Sequence, residues 1–98
     1  MADEQKYAVR LSATDLRTGK QMPDYPRVIG PFDFEDEAEN FGQSFVDGEA
    51  EQLGRALVKR VEDDEHVYTR DAAVAEKRTI VRVTAETLRM EDPLGDLQ

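Results

Sequence analysis

The chain contains no cysteine, which excludes a disulfide scaffold and all thiol chemistry. His66 is its only histidine, so zinc sites assembled from Cys and His lack the ligands they need. A Ser–His–acid triad would have to combine His66 with Ser12 or Ser44, and neither serine lies in a Gly-x-Ser-x-Gly elbow. Clustered glycines ahead of a helix are also missing. Gly30 has no such partners, and Pro31-Phe32 removes a backbone donor and adds bulk where a phosphate would sit. No window approaches the roughly 18–20 apolar residues needed to cross a bilayer. The opening MADEQK has neither the basic region nor the apolar run of a secretory signal. A soluble, cytoplasmic protein is the expectation.

Positive charge is absent from the middle of the chain. The formal net charge is −9, and residues 28–54 hold eight acids with no Lys or Arg. That one segment carries nearly all of the imbalance. It should repel nucleic acid and anionic membranes and attract basic protein surfaces. Its simplest role is that of a solvated helix face that keeps the protein in solution.

The clearest helical signal lies within Gly30–Gly48, GPFDFEDEAENFGQSFVDG. Asp33 fits an N-cap, and Asp36 at the third helical position resembles a weak capping box. Phe34, Ala38, Phe41 and Phe45 recur at i, i+4, i+7 and i+11, a single face that Val46 widens. Glu35, Asp36, Glu37 and Glu39 fall in the first turns, where the helix dipole favours negative charge. Asp47-Gly48 supplies a stop, so a helix is predicted over about 34–47. A second period follows in Ala50, Leu53, Leu57 and Val61, opened by Glu49 and Glu51 and closed by Arg55, Lys59 and Arg60. It predicts a second helix over 49–60, in competition with a strand at 56–62. Gly54 weakens it by about 1 kcal/mol relative to Ala.

Around these helices, residues 6–14 alternate as a half-buried strand, with Tyr7, Val9, Leu11 and Ala13 on one side. Asp15–Lys20 is a turn that uses Gly19. Residues 25–30 form a second strand pairing with the first, at an edge because of Pro23 and Pro26. Glu62–Glu65 is a polar break, and 66–70 a third strand. Residues 71–77 make one or two helical turns, and 78–85 the best strand of the second half. The expected fold is therefore α+β, a small antiparallel or mixed sheet with two helices packed on one face, in the order β-β-α-α-β-β. Residues 1–87 form a single acidic domain and 88–98 a flexible acidic tail. The core draws on Val9, Leu11, Phe32, Phe34, Phe41, Phe45, Leu53, Leu57, Val61, Val81 and Val83.

Few chemistries survive these exclusions. Asp63, Asp64, Glu65 and His66 form one compact set of hard-cation ligands, but their spacing matches no EF-hand loop and adjacent side chains in a turn diverge. No metal, cofactor or catalytic residue is therefore expected. Arg55, Lys59, Arg60, Arg78, Arg82 and Arg89 are interleaved with acids, which argues against direct nucleic-acid binding. In the tail, Leu88, Met90, Leu94 and Leu97 on an acidic background suit either a docking segment or a disordered end.

The first functional expectation is a small non-enzymatic protein-interaction module, an adaptor, regulator or assembly subunit. The second is an acidic inhibitor occupying the nucleic-acid-binding site of a partner protein. A carboxylate- and metal-dependent enzyme is the third. The residues expected to meet a partner with a basic surface are Glu35, Asp36, Glu37, Glu39, Asp47, Glu49 and Glu51. A helix from 33 to 47 spreads its carboxylates over roughly 20 Å, a sparser polyanion than duplex DNA. β-rich edges are compatible with a homodimer.

Overall fold

The computed structural model describes residues 6–56, 63–64 and 66–90. The first strand, β1 (Lys6–Asp15), follows the alternation of its sequence, with Val9, Leu11 and Ala13 fully buried on one face. A tight turn closed by the Gly19 amide donating to the Asp15 carbonyl at 2.7 Å leads into β2 (Lys20–Gln21). Gly19 has φ +76°, a left-handed conformation that glycine adopts without strain. After an irregular stretch comes β3 (Arg27–Phe32), antiparallel to β1 and on its outer edge.

The helix α1 (Glu35–Leu53) then crosses one face of the sheet. β4 (Arg55–Ala56) and β5 (Asp63–Asp64) are short segments that both pair with β6 (Val67–Val74). A 3-10 turn, Ala75–Lys77, ends on Arg78 in a left-handed conformation and reverses the chain into β7 (Thr79–Met90). β7 lies between β1 and β6, so β2 and β3 share one outer edge and β4 and β5 the other. The seven segments thus make five antiparallel lanes.

The helix meets the sheet through small side chains. Ala38, Gly42, Val46 and Ala50, spaced by four, are buried, and Ala38 and Val46 pack in one cluster with Val9, Leu11, Val81, Val83 and Ala85. At Gly42 an added Cβ would stand 2.9 Å from the Ala85 Cβ, so the backbone itself approaches the sheet there. Phe41 and Phe45 flank this seam, and with Phe32 they form a tilted stack with centroids 5.4 and 6.2 Å apart. Burying side chains of the size of Leu11 contributes about 1.5–3 kcal/mol each, and the seam holds the layers together.

The expectation of two helices in the order β-β-α-α-β-β is corrected by this arrangement, which among the described residues has one α-helix over an antiparallel sheet. Asp47-Gly48 does not stop α1. Gly48 sits on its exposed side, and the helix continues because Ala50 is fully buried and Leu53 packs on the core. The second helical period was thus partly α1's own last turns. The helix ends at Gly54, where a Cβ would lie 2.2 Å from the Ala73 carbonyl oxygen, and the next residues pair with β6. Leu57 and Val61 lie outside the described residues, as do positions 57–60 of the helix predicted over 49–60 and 57–62 of the competing strand at 56–62.

Three smaller expectations also change. Phe34, not Asp33, occupies the N-cap, with no side-chain cap, and Asp33 pairs with Lys6 instead. Phe34 is not a core residue, being 67% exposed. Residues 71–74 are strand rather than helix, because each pairs with β7 and the register sets Asp71 opposite Arg82. The strand read at 78–85 extends to Met90, so Leu88–Met90 pair with Lys6–Ala8, and 91–98 lie outside the described residues.

Candidate functional site

The seven carboxylates expected to face a partner do not form one surface. Their places around α1 divide them among three sides. Glu35, Glu39 and Asp47 project toward β6, Glu49 toward β3, while Asp36, Glu37 and Glu51 are exposed.

On the β6 side the acids meet groups of the sheet. The His66 Nδ1, just ahead of β6, stands 3.1 Å from a Glu39 carboxylate oxygen and 3.6 Å from one of Glu35. Two turns along the helix, the Asp47 carboxylate accepts from the Tyr68 hydroxyl at 2.9 Å and from Arg70 at 2.8 Å. The hydrogen bond from Asp47 raises the Arg70 pKa further above its already basic value. Asp47 thus ties the helix to β6 through a charged and a neutral donor.

On the β3 side, Arg27 lies over the Tyr25 ring at 4.9 Å and over the Phe45 ring at 5.6 Å. Burial pushes the Tyr25 hydroxyl above its ordinary value. Arg27 opposes the rise and Glu49, beside the hydroxyl, adds to it.

The N-terminal end of α1 differs from both flanks. Phe34 projects into solvent at the N-cap, between Asp33, whose side chain is 66% exposed, and the exposed Asp36 and Glu37. This leaves an exposed aromatic ring on the same end of the helix as the exposed acids Asp36 and Glu37. The helix dipole reinforces the preference for acids in this first turn, so the negative charge costs the fold little.

The sheet face away from α1 is a mixed surface. The Thr69 and Thr84 hydroxyls meet across β6 and β7 at 3.2 Å, and Arg82 donates twice to Asp71 at 2.9 and 3.3 Å. The Asp71 bond raises the Arg82 pKa. Val28, Ile80 and Met90 are exposed but separated along the strands, and isolated apolar residues of this kind are ordinary on a surface.

The cation set read at 63–66 changes partners. Asp63–Asp64 belong by backbone to β5, Glu65 lies outside the described residues, and His66 turns to Glu35 and Glu39. The i, i+4 spacing of the two glutamates was visible in the sequence, but their convergence on residue 66 depends on how α1 lies against β6. Phe34 was missed because it shares the helical period of Ala38 and Phe41 and falls one residue short of the helix. Among the described residues no helix is long and apolar enough to cross a membrane. Comparison with protein-family models, with curated proteins and with solved structures finds no match to this chain.

Proposed function

We propose that the chain is a small non-enzymatic protein-interaction module, an adaptor, regulator or assembly subunit. It docks through the N-terminal end of α1 onto a partner with an apolar pocket bordered by Lys or Arg. Phe34 carries this reading. An N-cap Ser, Thr, Asp or Asn contributes about 1 kcal/mol to a helix, whereas Phe34 neither caps nor is buried. Departures from local preference without a gain in the fold concentrate at functional positions. Aromatic side chains that enter a pocket carry much of the affinity of an interface. The exposed carboxylates of Asp36 and Glu37 supply the polar rim that steers a basic partner. A cytoplasmic location is part of the same proposal.

The test compares proteins captured from a lysate of the native host by the wild-type chain, by Phe34→Ala and by Glu51→Gln. Loss of about 2 kcal/mol at an aromatic anchor corresponds to roughly a thirtyfold weaker Kd. A partner retained by wild type and Glu51→Gln but lost by Phe34→Ala, with an unchanged circular dichroism spectrum, is the expected result. Equal capture by all three would refute the site.

The acidic-inhibitor reading draws less from the structure. Four of the seven helix carboxylates are engaged with the protein's own His66, Tyr68, Arg70 and Tyr25. Asp36, Glu37 and Glu51 are widely spaced beside a duplex with about one charge per 1.7 Å.

A further inference from the structure

We propose that Glu35, Glu39 and His66 form a binding site for a divalent transition-metal ion, for which Zn²⁺ is the probe. The inference is independent of the docking role of Phe34. One ligand atom from each of the three residues falls within 4.8 Å of the others. Zinc binds imidazole nitrogen and carboxylate oxygen at about 2.0–2.2 Å, which in a tetrahedral site places neighbouring donors about 3.3–3.6 Å apart. The 3.6 Å separation from Glu35 to Nδ1 lies in that range, and the 3.1 Å hydrogen-bonded contact from Glu39 to Nδ1 needs an opening of only about 0.2 Å to reach it.

The donor set also selects the class of ion. Mg²⁺ and Ca²⁺ take oxygen ligands almost exclusively, whereas one imidazole with two carboxylates suits borderline metals such as Zn²⁺. The two glutamates stand at i, i+4 on one side of a regular helix, and His66 enters from the start of β6. Two elements distant in sequence therefore preorganise the site, in contrast to a run of acids along one helix. Side-chain exposures of 44, 30 and 42% for Glu35, Glu39 and His66 leave the ion a path from solvent. Three protein ligands also leave room in the coordination sphere for water or a partner's side chain, as in open zinc sites.

Because His66 is the only histidine, its ring signals identify themselves in a ¹H–¹³C NMR spectrum of the tag-free full chain. Titration with Zn²⁺ should shift these signals to an end point at one equivalent, and Mg²⁺ at the same concentration should leave them in place. Glu39→Gln and Glu35→Gln should each weaken Zn²⁺ binding about tenfold or more, while Glu51→Gln on the exposed side leaves the titration unchanged. A second readout is the melting temperature, which should rise by about 5 °C under excess Zn²⁺ in wild type and not in Glu39→Gln. His66 signals unmoved by Zn²⁺ would overturn the site and leave an ion pair only. The same follows if they move equally in wild type and in folded Glu35→Gln and Glu39→Gln.

Discussion

The Asp15 carboxylate stands where β1 leaves the sheet and holds three parts of the chain together. It accepts from the buried Thr79 hydroxyl at 2.6 Å and from the Arg17 amide at 2.9 Å. The Thr79 bond first, and the Arg17 bond second, hold its carboxyl below the ordinary carboxylate value. A carboxyl depressed in the folded state adds stability above its unfolded value, near pH 4, and loses that contribution as the pH falls through the folded value. Thr79→Val keeps the shape of the side chain and removes the donor. The Asp15 carboxyl should then titrate closer to its ordinary value in a carbonyl-detected NMR titration, and an unmoved midpoint would show that Thr79 is not the cause. Asp71 and Arg82 make a similar cross-strand contact, but with two parallel bonds, and there it is the arginine whose charge is held more firmly.

At the scale of the element, α1 contains two glycines that the sequence presents alike and the structure separates. Gly42 faces the sheet, and a Cβ there would press on Ala85 at 2.9 Å. Gly48 faces solvent and an added Cβ meets nothing within 4 Å. Glycine in a helix interior costs about 1 kcal/mol relative to Ala, so both substitutions gain that amount locally. At position 42 the gain is set against overpacking of about 1–3 kcal/mol. Urea unfolding should therefore show Gly48→Ala more stable than wild type by about 0.5–1 kcal/mol and Gly42→Ala less stable by about 1 kcal/mol. Stabilisation by both would mean that the helix rides higher on the sheet than the structure places it. The N-terminal end follows the same logic in reverse. Phe34 stands one residue outside the helix, where the face of Ala38 and Phe41 no longer governs its direction.

For the whole molecule, the decisive pairing joins the two ends of the described chain. β1 is paired with β7 along its full length, from Lys6 opposite Met90 to Asp15 opposite Val81, and β7 also carries β6. The centre of the sheet is thus completed by the last of the described strands, and the loop to be closed spans most of the sequence. Topologies dominated by such non-local pairs fold slowly. Refolding from urea, followed by stopped-flow fluorescence of the tyrosines, should take on the order of milliseconds to seconds. Relaxation in microseconds would be inconsistent with β1–β7 pairing as the step that organises the fold.

The local periods of the sequence determined a good part of this protein without help. The two-residue alternation in β1 and β7 marked Val9, Leu11, Val81 and Val83, all fully buried. The prolines marked β3 as an edge strand, and Gly19 marked the first turn. Ala38, Phe41, Phe45 and Val46 marked the side of α1 that meets the sheet. Each of these is a signal within one element, where periodicity reports which face leaves water.

The tertiary structure decided the rest, because the energies involved lie between elements. Gly54 ends the helix through its closeness to the Ala73 carbonyl, which no local pattern encodes. Residues 71–74 become strand because β7 offers a ladder and Arg82 a partner for Asp71, outweighing a weak helical preference. The helix acids were all expected to meet a partner, yet the placement of α1 against β6 sets Glu35 and Glu39 beside His66 and Asp47 beside Tyr68 and Arg70. Composition set the amount of charge, and packing set which carboxylates were left to face something else.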